Sequence, residues 1–347
     1  MAAPPRPLIR RPISITILTI AVSVSVALTP IVVPVLAIVD TITRQAFRRS
    51  RGWMLYVGVL VNEAGSLASA AALITWHLGR LDRDLSQARF HRLEWRWARR
   101  HIVNLRWFSG LRWVVENPGE MRDGKAIVLA RHASHADSIL PLLLFGVAGH
   151  HEIRYTLKDD LQWLPAMDIV GNLLPNVFIN RAPTPDSPLW DEMRELAAGL
   201  DRGVAVIFPE GTFYTPERLD RAALRLAEGR PDLEAPARSL EHILPPRPAG
   251  TEALLAGAPE ADLILVAHEG MEAFSDLASI RQHLPLRTPV RVRLWRIPRD
   301  EVPTDDLAGW LLDRWIDLDR WIQKGVIERR DSDGTPPSLI GAQEIHV

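Results

Sequence analysis

The 347-residue chain has no cysteine, which excludes disulfides, thiolate metal sites and a cysteine nucleophile. Lysine is nearly missing too: Lys125, Lys158 and Lys324 are the only three among 41 basic residues, so arginine carries the positive charge. Neither G-x-G-x-x-G nor a P-loop occurs, so two common phosphate-cradling signatures are absent. Net charge is −1, and the chain as a whole has no electrostatic pull toward nucleic acid. No internal repeat is visible. Abundant alanine, arginine and proline fit a GC-rich, bacterial genome.

What is present begins with apolar runs. Arg6, Arg10 and Arg11 stand among prolines, and Ile13 to Val39 then form an uncharged stretch long enough for a membrane helix. A secretory signal has the same order, but this run exceeds a typical signal core and a second segment, Trp53 to Trp76, follows closely. The tryptophans at both its ends suit membrane interfaces. Inside it, Asn62 and Glu63 read either as functional intramembrane groups or as residues that face the first helix or snorkel. Between the segments lie Arg44, Arg48, Arg49 and Arg51. Two full spans would carry that loop out of the cytosol, against the positive-inside tendency. Pro30 and Pro34 can bend the first segment. Residues 1–80 are therefore expected to form a membrane helical hairpin that dips in from the cytoplasmic face, at a bacterial inner membrane, without crossing.

Residues 80–113 mix arginine with Phe90, Trp95, Trp97, Trp107, Phe108 and Trp113. Basic charge with aromatics can mean nucleic acid. Beside two apolar segments it points instead to a helix on an anionic lipid surface, and a packing helix with a solvated face is the alternative. From about 112 to 300 the pattern alternates. Strand candidates are Trp113–Val115, Ala126–Ala130, Ile153–Leu157, Val177–Ile179, Val204–Phe208, Leu263–Ala267 and Val290–Trp295, with helical stretches such as Pro188–Leu200 between them. This predicts an α/β domain over 81–330 with a largely parallel mixed sheet flanked by helices. Residues 215–262 interrupt it with a charged, Pro-rich excursion, 305–328 read as a Trp-rich helix, and 331–347 read as a flexible tail.

Four short stretches carry chemistry. In Arg131-His132-Ala133-Ser134-His135-Ala136-Asp137, a histidine sits at a strand-to-helix turn with a carboxylate five residues on. Asp137 can fold back on one ring nitrogen and leave the other free to take a proton from a hydroxyl. The bland reading is a capping box formed by Ser134 and Asp137. In Val177-Phe178-Ile179-Asn180-Arg181, a strand ends in an arginine able to clamp phosphate. Phe208-Pro209-Glu210-Gly211-Thr212 closes a buried strand with a carboxylate, a glycine that lets backbone amides approach an anion, and a hydroxyl. Glu210 and Thr212 there can bind hydroxyls or fix a cation. Leu244-Pro245-Pro246-Arg247-Pro248-Ala249-Gly250 is a further loop with one arginine.

In this order and spacing the four resemble the glycerolipid acyltransferases, specifically the 1-acylglycerol-3-phosphate acyltransferases. That family's signature is H-x-x-x-x-D, F-I-x-R and F-P-E-G-T, and all three are intact here. The fourth stretch looks like the L-x-P-R-x-x-G of one subgroup, and the likeness covers roughly 110–325. Two positions depart from it: Arg131 stands where asparagine is frequent, and Phe213 where arginine is common. Both put the acceptor headgroup in question more than the reaction.

The resemblance implies acyl transfer from acyl-CoA or acyl carrier protein to a lysophospholipid hydroxyl at a membrane, with no metal or bound cofactor and no nucleic acid. His132 would be the base and Asp137 its orienting carboxylate. Arg181, Glu210, Gly211 and Thr212 would bind the glycerophosphate, with Arg247 a further candidate. The preferred acceptor is lysophosphatidic acid. Glycerol 3-phosphate, another lysophospholipid, thioester hydrolysis and a non-catalytic lipid-binding role are the alternatives.

Overall fold

A computed structural model describes residues 4–77, 83–121, 124–179, 187–200, 203–275, 277–331 and 343–345. Three long helices come first: α1 (Pro7–Ile42), α2 (Arg48–His77) and α3 (Arg83–Ser109). Pro12, Pro30 and Pro34 all lie within α1, and the helix runs unbroken through all three. α1 and α2 pack as a hairpin, and α2 lies against α3. Both α1 and α2 are long and apolar enough to cross a membrane.

Asn62 and Glu63 face α3, not α1. Asn62 donates to the Trp97 carbonyl at 3.0 Å, and Glu63 accepts from the Trp97 indole at 2.7 Å. Each of these polar side chains thus makes a hydrogen bond to the neighbouring helix. In α3 itself Phe90, Leu93, Ala98 and Ile102 are buried while Arg92, Arg96, Arg99 and Arg100 are exposed. α3 therefore packs through one face and presents arginines on the other.

The rest is an eight-stranded sheet in the order β4-β3-β5-β2-β6-β7-β1-β8. Its strands are β1 (Trp113–Glu116), β2 (Ala126–Ala130), β3 (Ile153–Lys158), β4 (Val177–Ile179), β5 (Val204–Ile207), β6 (Asp262–Glu269), β7 (Val290–Ile297) and β8 (Gln343–Glu344). Pairings are parallel except β6 with β7 and β1 with β8. The seven strands expected from the sequence are all present. β8 was not foreseen: the tail read as flexible contributes two residues that pair with β1.

Apolar runs form these strands because both faces of the sheet are covered. Ala126, Val128 and Ala130 pack with Val204, Val206, Ile264 and Val266 under α3 and the helical segment 135–148. The alternate residues Ile127 and Leu129 pack with Ala205, Ile207, Leu263 and Leu265 under helices Leu189–Ala198, Pro248–Gly257 and Leu307–Asp331. The 215–262 excursion is mostly helical, including Pro216–Gly229 capped by Thr215. β4, β3, β5, β2 and β6 run parallel, so their carboxyl ends share one edge, where open α/β sheets place ligand sites.

Candidate active site

β2 ends at Ala130 and delivers His132 into the turn at that edge. The turn holds because Asp137 is almost wholly enclosed and its carboxylate collects donors from both sides. It accepts from the Ala133 amide, from the Ser134 amide at 2.6 Å and from the Ser134 hydroxyl at 2.6 Å. The capping box forms, and the same carboxylate lies 3.1 Å from Nδ1 of His132. The structural and functional readings of this carboxylate are therefore one arrangement. Burial pushes the Asp137 carboxyl up, but His268, His132 and Ser134 outweigh it and hold it below its ordinary range. An ionised acceptor at Nδ1 fixes the tautomer with the proton there and leaves Nε2 basic.

The imidazole side chain is 13% exposed. Phe208 tilts against it at 5.1 Å between centroids, and Phe213 meets it edge-on at 5.6 Å. Among the described residues Nε2 has no hydrogen-bond partner, so the free nitrogen lies in an aromatic collar open on one side. Behind Asp137 stands His268 at the end of β6, fully buried, its Nε2 3.7 Å from the other carboxylate oxygen and 3.2 Å from the Arg131 carbonyl. Burial pushes this imidazole down against the pull of Asp137, and its Nε2–H donates to the Arg131 carbonyl.

Glu210 is 1% exposed, and its two oxygens accept the His132 amide and the Leu244 amide, each at 2.9 Å. A buried carboxyl group bonded in this way fixes one turn against another. Arg131 strengthens the same junction from inside: it pairs with Glu272 at 2.6 Å and donates to the carbonyls of His268 and His242. Asp319 on the last long helix receives the Glu241 and His242 amides at 2.9 and 2.8 Å. The loop that carries Arg247 is thus pinned from three sides.

Gly211 has φ of +69°, a left-handed conformation that glycine adopts freely. A Cβ there would come within 3.2 Å of the Arg247 guanidinium, so Arg247 lies close over Gly211. Gly211 and Thr212 stand between Glu210, which accepts the His132 amide, and Phe213, which meets its ring. Arg181 lies outside the described residues. Two residues short of it, Ile179 pairs in register with Lys158, so β4 ends at this edge. Lys158 and His268 were missed as site residues. The signal for Lys158 was legible: a scarce residue at the end of a strand.

Glu210 also yields a stability prediction. Burial raises its carboxyl to about 8, against the Leu244 and His132 amides and the Arg131 charge. Between the ordinary glutamate range and that value the folded chain keeps a proton that the unfolded chain has lost. Stability present at low pH is therefore lost as pH rises toward 8, at up to about 1.4 kcal/mol per pH unit. Relative to Glu210→Gln, which does not titrate, wild-type melting temperature should fall between pH 5 and 8. Parallel slopes for the two proteins would refute the assignment.

Residues 112–230 match the protein family described as Acyltransferase. The chain is 28% identical over 211 residues to 1-acyl-sn-glycerol-3-phosphate acyltransferase epsilon of Mus musculus, covering 56% of each protein. It thus spans little more than half the length of that relative. The fold is similar to the crystal structure of the 1-acyl-sn-glycerophosphate (LPA) acyltransferase PlsC from Thermotoga maritima. That match has a TM-score of 0.50 and 15% identity, over 81% of this chain and 98% of that one. The stretch that matches the Acyltransferase family, residues 112–230, is the one in which β2 delivers His132 onto Asp137 and β5 supplies the Glu210 turn.

Proposed function

We propose that the protein transfers a fatty acyl group from acyl-CoA or an acyl carrier protein to the free hydroxyl of lysophosphatidic acid, giving phosphatidic acid. The observation that carries this reading is the His132–Asp137 pair: one imidazole nitrogen is held by a buried carboxylate and the other is unpartnered. His132 Nε2 takes the proton of the acceptor hydroxyl as its oxygen attacks the thioester carbonyl. Asp137 stabilises the imidazolium that forms. As the tetrahedral adduct collapses, the C–S bond breaks and the leaving thiolate recovers a proton from His132. One ester bond forms, one thioester bond breaks, and the enzyme itself is never acylated. Gly211, Thr212 and Arg247 stand where the glycerophosphate of the acceptor would lie.

The same reading places the protein at a membrane on the cytoplasmic side. Its support is the outward face of α1, where Ile9, Ile13, Ile17, Ile20, Val24 and Leu28 and then Ile31, Val35, Ile38 and Ile42 are exposed at helical spacing.

The deciding experiment is a panel of donors and acceptors with purified protein, with lipid products identified by mass. Phosphatidic acid from lysophosphatidic acid is expected. Product only from glycerol 3-phosphate or from a lysolipid with a larger headgroup would move the acceptor assignment. Thioester loss independent of acceptor would make the protein a hydrolase. No thioester consumption with any acceptor would leave lipid binding without catalysis.

A further inference from the structure

Three cations gather at the sheet edge that carries His132. Lys158 closes β3, Arg247 lies over Gly211, and Arg218 comes from the first turn of the helix Pro216–Gly229. Among the described residues none of the three makes an ion pair within 4 Å. Arg218 and Arg247 lie close enough that, after burial, Arg218 is the strongest influence that depresses the Lys158 ammonium, and Asp160 is the only acid that opposes it. Arg218 also stands at a helix N-terminus, where the helix dipole is unfavourable to a cation. Gathered positive charge without compensation is costly, and it indicates an anion.

The position of Arg218 is set by Phe213. Phe213 follows the P-E-G-T turn and stands edge-on to His132. On the same ring Arg218 places its guanidinium carbon 4.7 Å from the centroid and donates to the Phe213 carbonyl at 2.9 Å. One phenyl ring therefore touches both the base and the cation. A guanidinium stacked in this way is preorganised, with its remaining N–H groups free for an oxyanion.

We infer that Arg218, stacked on Phe213, is an acceptor-binding residue that holds a dianionic phosphate monoester together with Lys158 and Arg247. This rests on the proposed transfer reaction and adds a residue to its acceptor site. Three cations that make no salt bridge among the described residues match a phosphate monoester; a zwitterionic headgroup would bring its ammonium against them. Nearness to His132 assigns the anion to the acceptor, whose reacting hydroxyl and phosphate share one glycerol. The phosphates of a CoA donor are the other possible source.

The test is steady-state kinetics on Arg218→Gln, Arg218→Lys and Lys158→Gln. Loss of a charge-assisted contact should raise the acceptor KM about tenfold or more, with donor KM within about twofold and kcat largely kept. Arg218→Lys should recover part of the loss. A rise in donor KM instead would assign the anion to CoA and overturn the inference. So would an unchanged acceptor KM, or a fall in kcat together with melting temperature, which is the mark of a structural role. If Arg218→Gln does not fold, Lys158→Gln reads the same site. Calorimetric titration with glycerol 3-phosphate needs no turnover and separates the two claims. Weaker binding by Arg218→Gln without any transfer by wild type would sink the reaction and leave the residue assignment standing. Equal binding by both proteins, or none by wild type, would overturn the assignment even where transfer holds.

Discussion

His132→Ala is expected to lower acyl transfer by about two to four orders of magnitude, the usual worth of a general base, while the protein stays folded. The geometry separates the two effects. The His132 backbone amide, which holds Glu210, survives the substitution. Asp137 keeps the two amides and the hydroxyl it takes from Ala133 and Ser134. What is lost is a ring lying between Phe208 and Phe213 at the edge of the fold, so the melting temperature should move little. Asp137→Ala would be a poorer probe, because it strips several buried donors at once and would lower activity and stability together. His135 is the internal control, since it belongs to the same turn but falls between the two motif positions. His135→Ala should retain most of the activity. Inactive His135→Ala beside active His132→Ala would show that the base had been misassigned.

Which parts of this arrangement were legible in the sequence follows from how far apart in the chain the partners lie. The strands were visible because sheet burial on both faces demands continuous apolar runs, as in Ala126–Ala130 and Val204–Ile207. His132 and Asp137 were visible because five residues around one turn bring them together without help from the rest of the fold. The backbone bonds of Glu210 were not legible because its partners, the amides of His132 and Leu244, are 78 and 34 residues away. Only the register of β5 beside β2 brings them within reach. Arg131 looked like a departure near the headgroup site. Its guanidinium turns inward, because three groups from the end of β6, the following turn and the 242 loop surround it. Phe213 was noted as a departure too, yet nothing local showed that Arg218 would stack upon it. Asn62 and Glu63 could be recognised as anomalous in an apolar segment, but not assigned to α1 or α3, because hydropathy does not say which neighbour a face meets. β8 is too short for any periodicity to reveal.

The hairpin should keep its connecting turn in the cytosol, with α1 lying along the membrane surface. At 36 residues α1 is about 54 Å long, well beyond the roughly 30 Å of a hydrocarbon core. Length alone would permit a tilted span, but the two ends decide against one. Near the N-terminus Arg10, 3% exposed, pairs with fully buried Asp168 at 2.9 Å and donates to Gln162 at 2.8 Å, both on the α/β domain. Past the other end of α1, Arg48 donates to the Leu284 carbonyl at 3.0 Å and Arg51 to the Trp107 carbonyl at 3.2 Å. A crossing helix leaves one end a membrane's thickness from the domain, whereas both ends here are tied to it. The ten exposed aliphatic residues on the outward face then form one stripe that can sink into a single leaflet. A lysolipid in that leaflet would reach His132 without leaving it, while a soluble thioester arrives from water. Single cysteines at Ala46, exposed in the turn, and at Ser239, exposed on the domain, test this in a chain that has no other thiol. In intact cells both should resist an impermeant thiol reagent, and both should react once the membrane is opened. Labelling at position 46 alone in intact cells would establish two full spans and end the hairpin proposal. Ile20→Glu combined with Ile31→Glu should release the protein from membranes, because each charge sunk among acyl chains costs about 2–3 kcal/mol. Unchanged membrane recovery of that double variant would mean that the stripe is not the face that meets lipid.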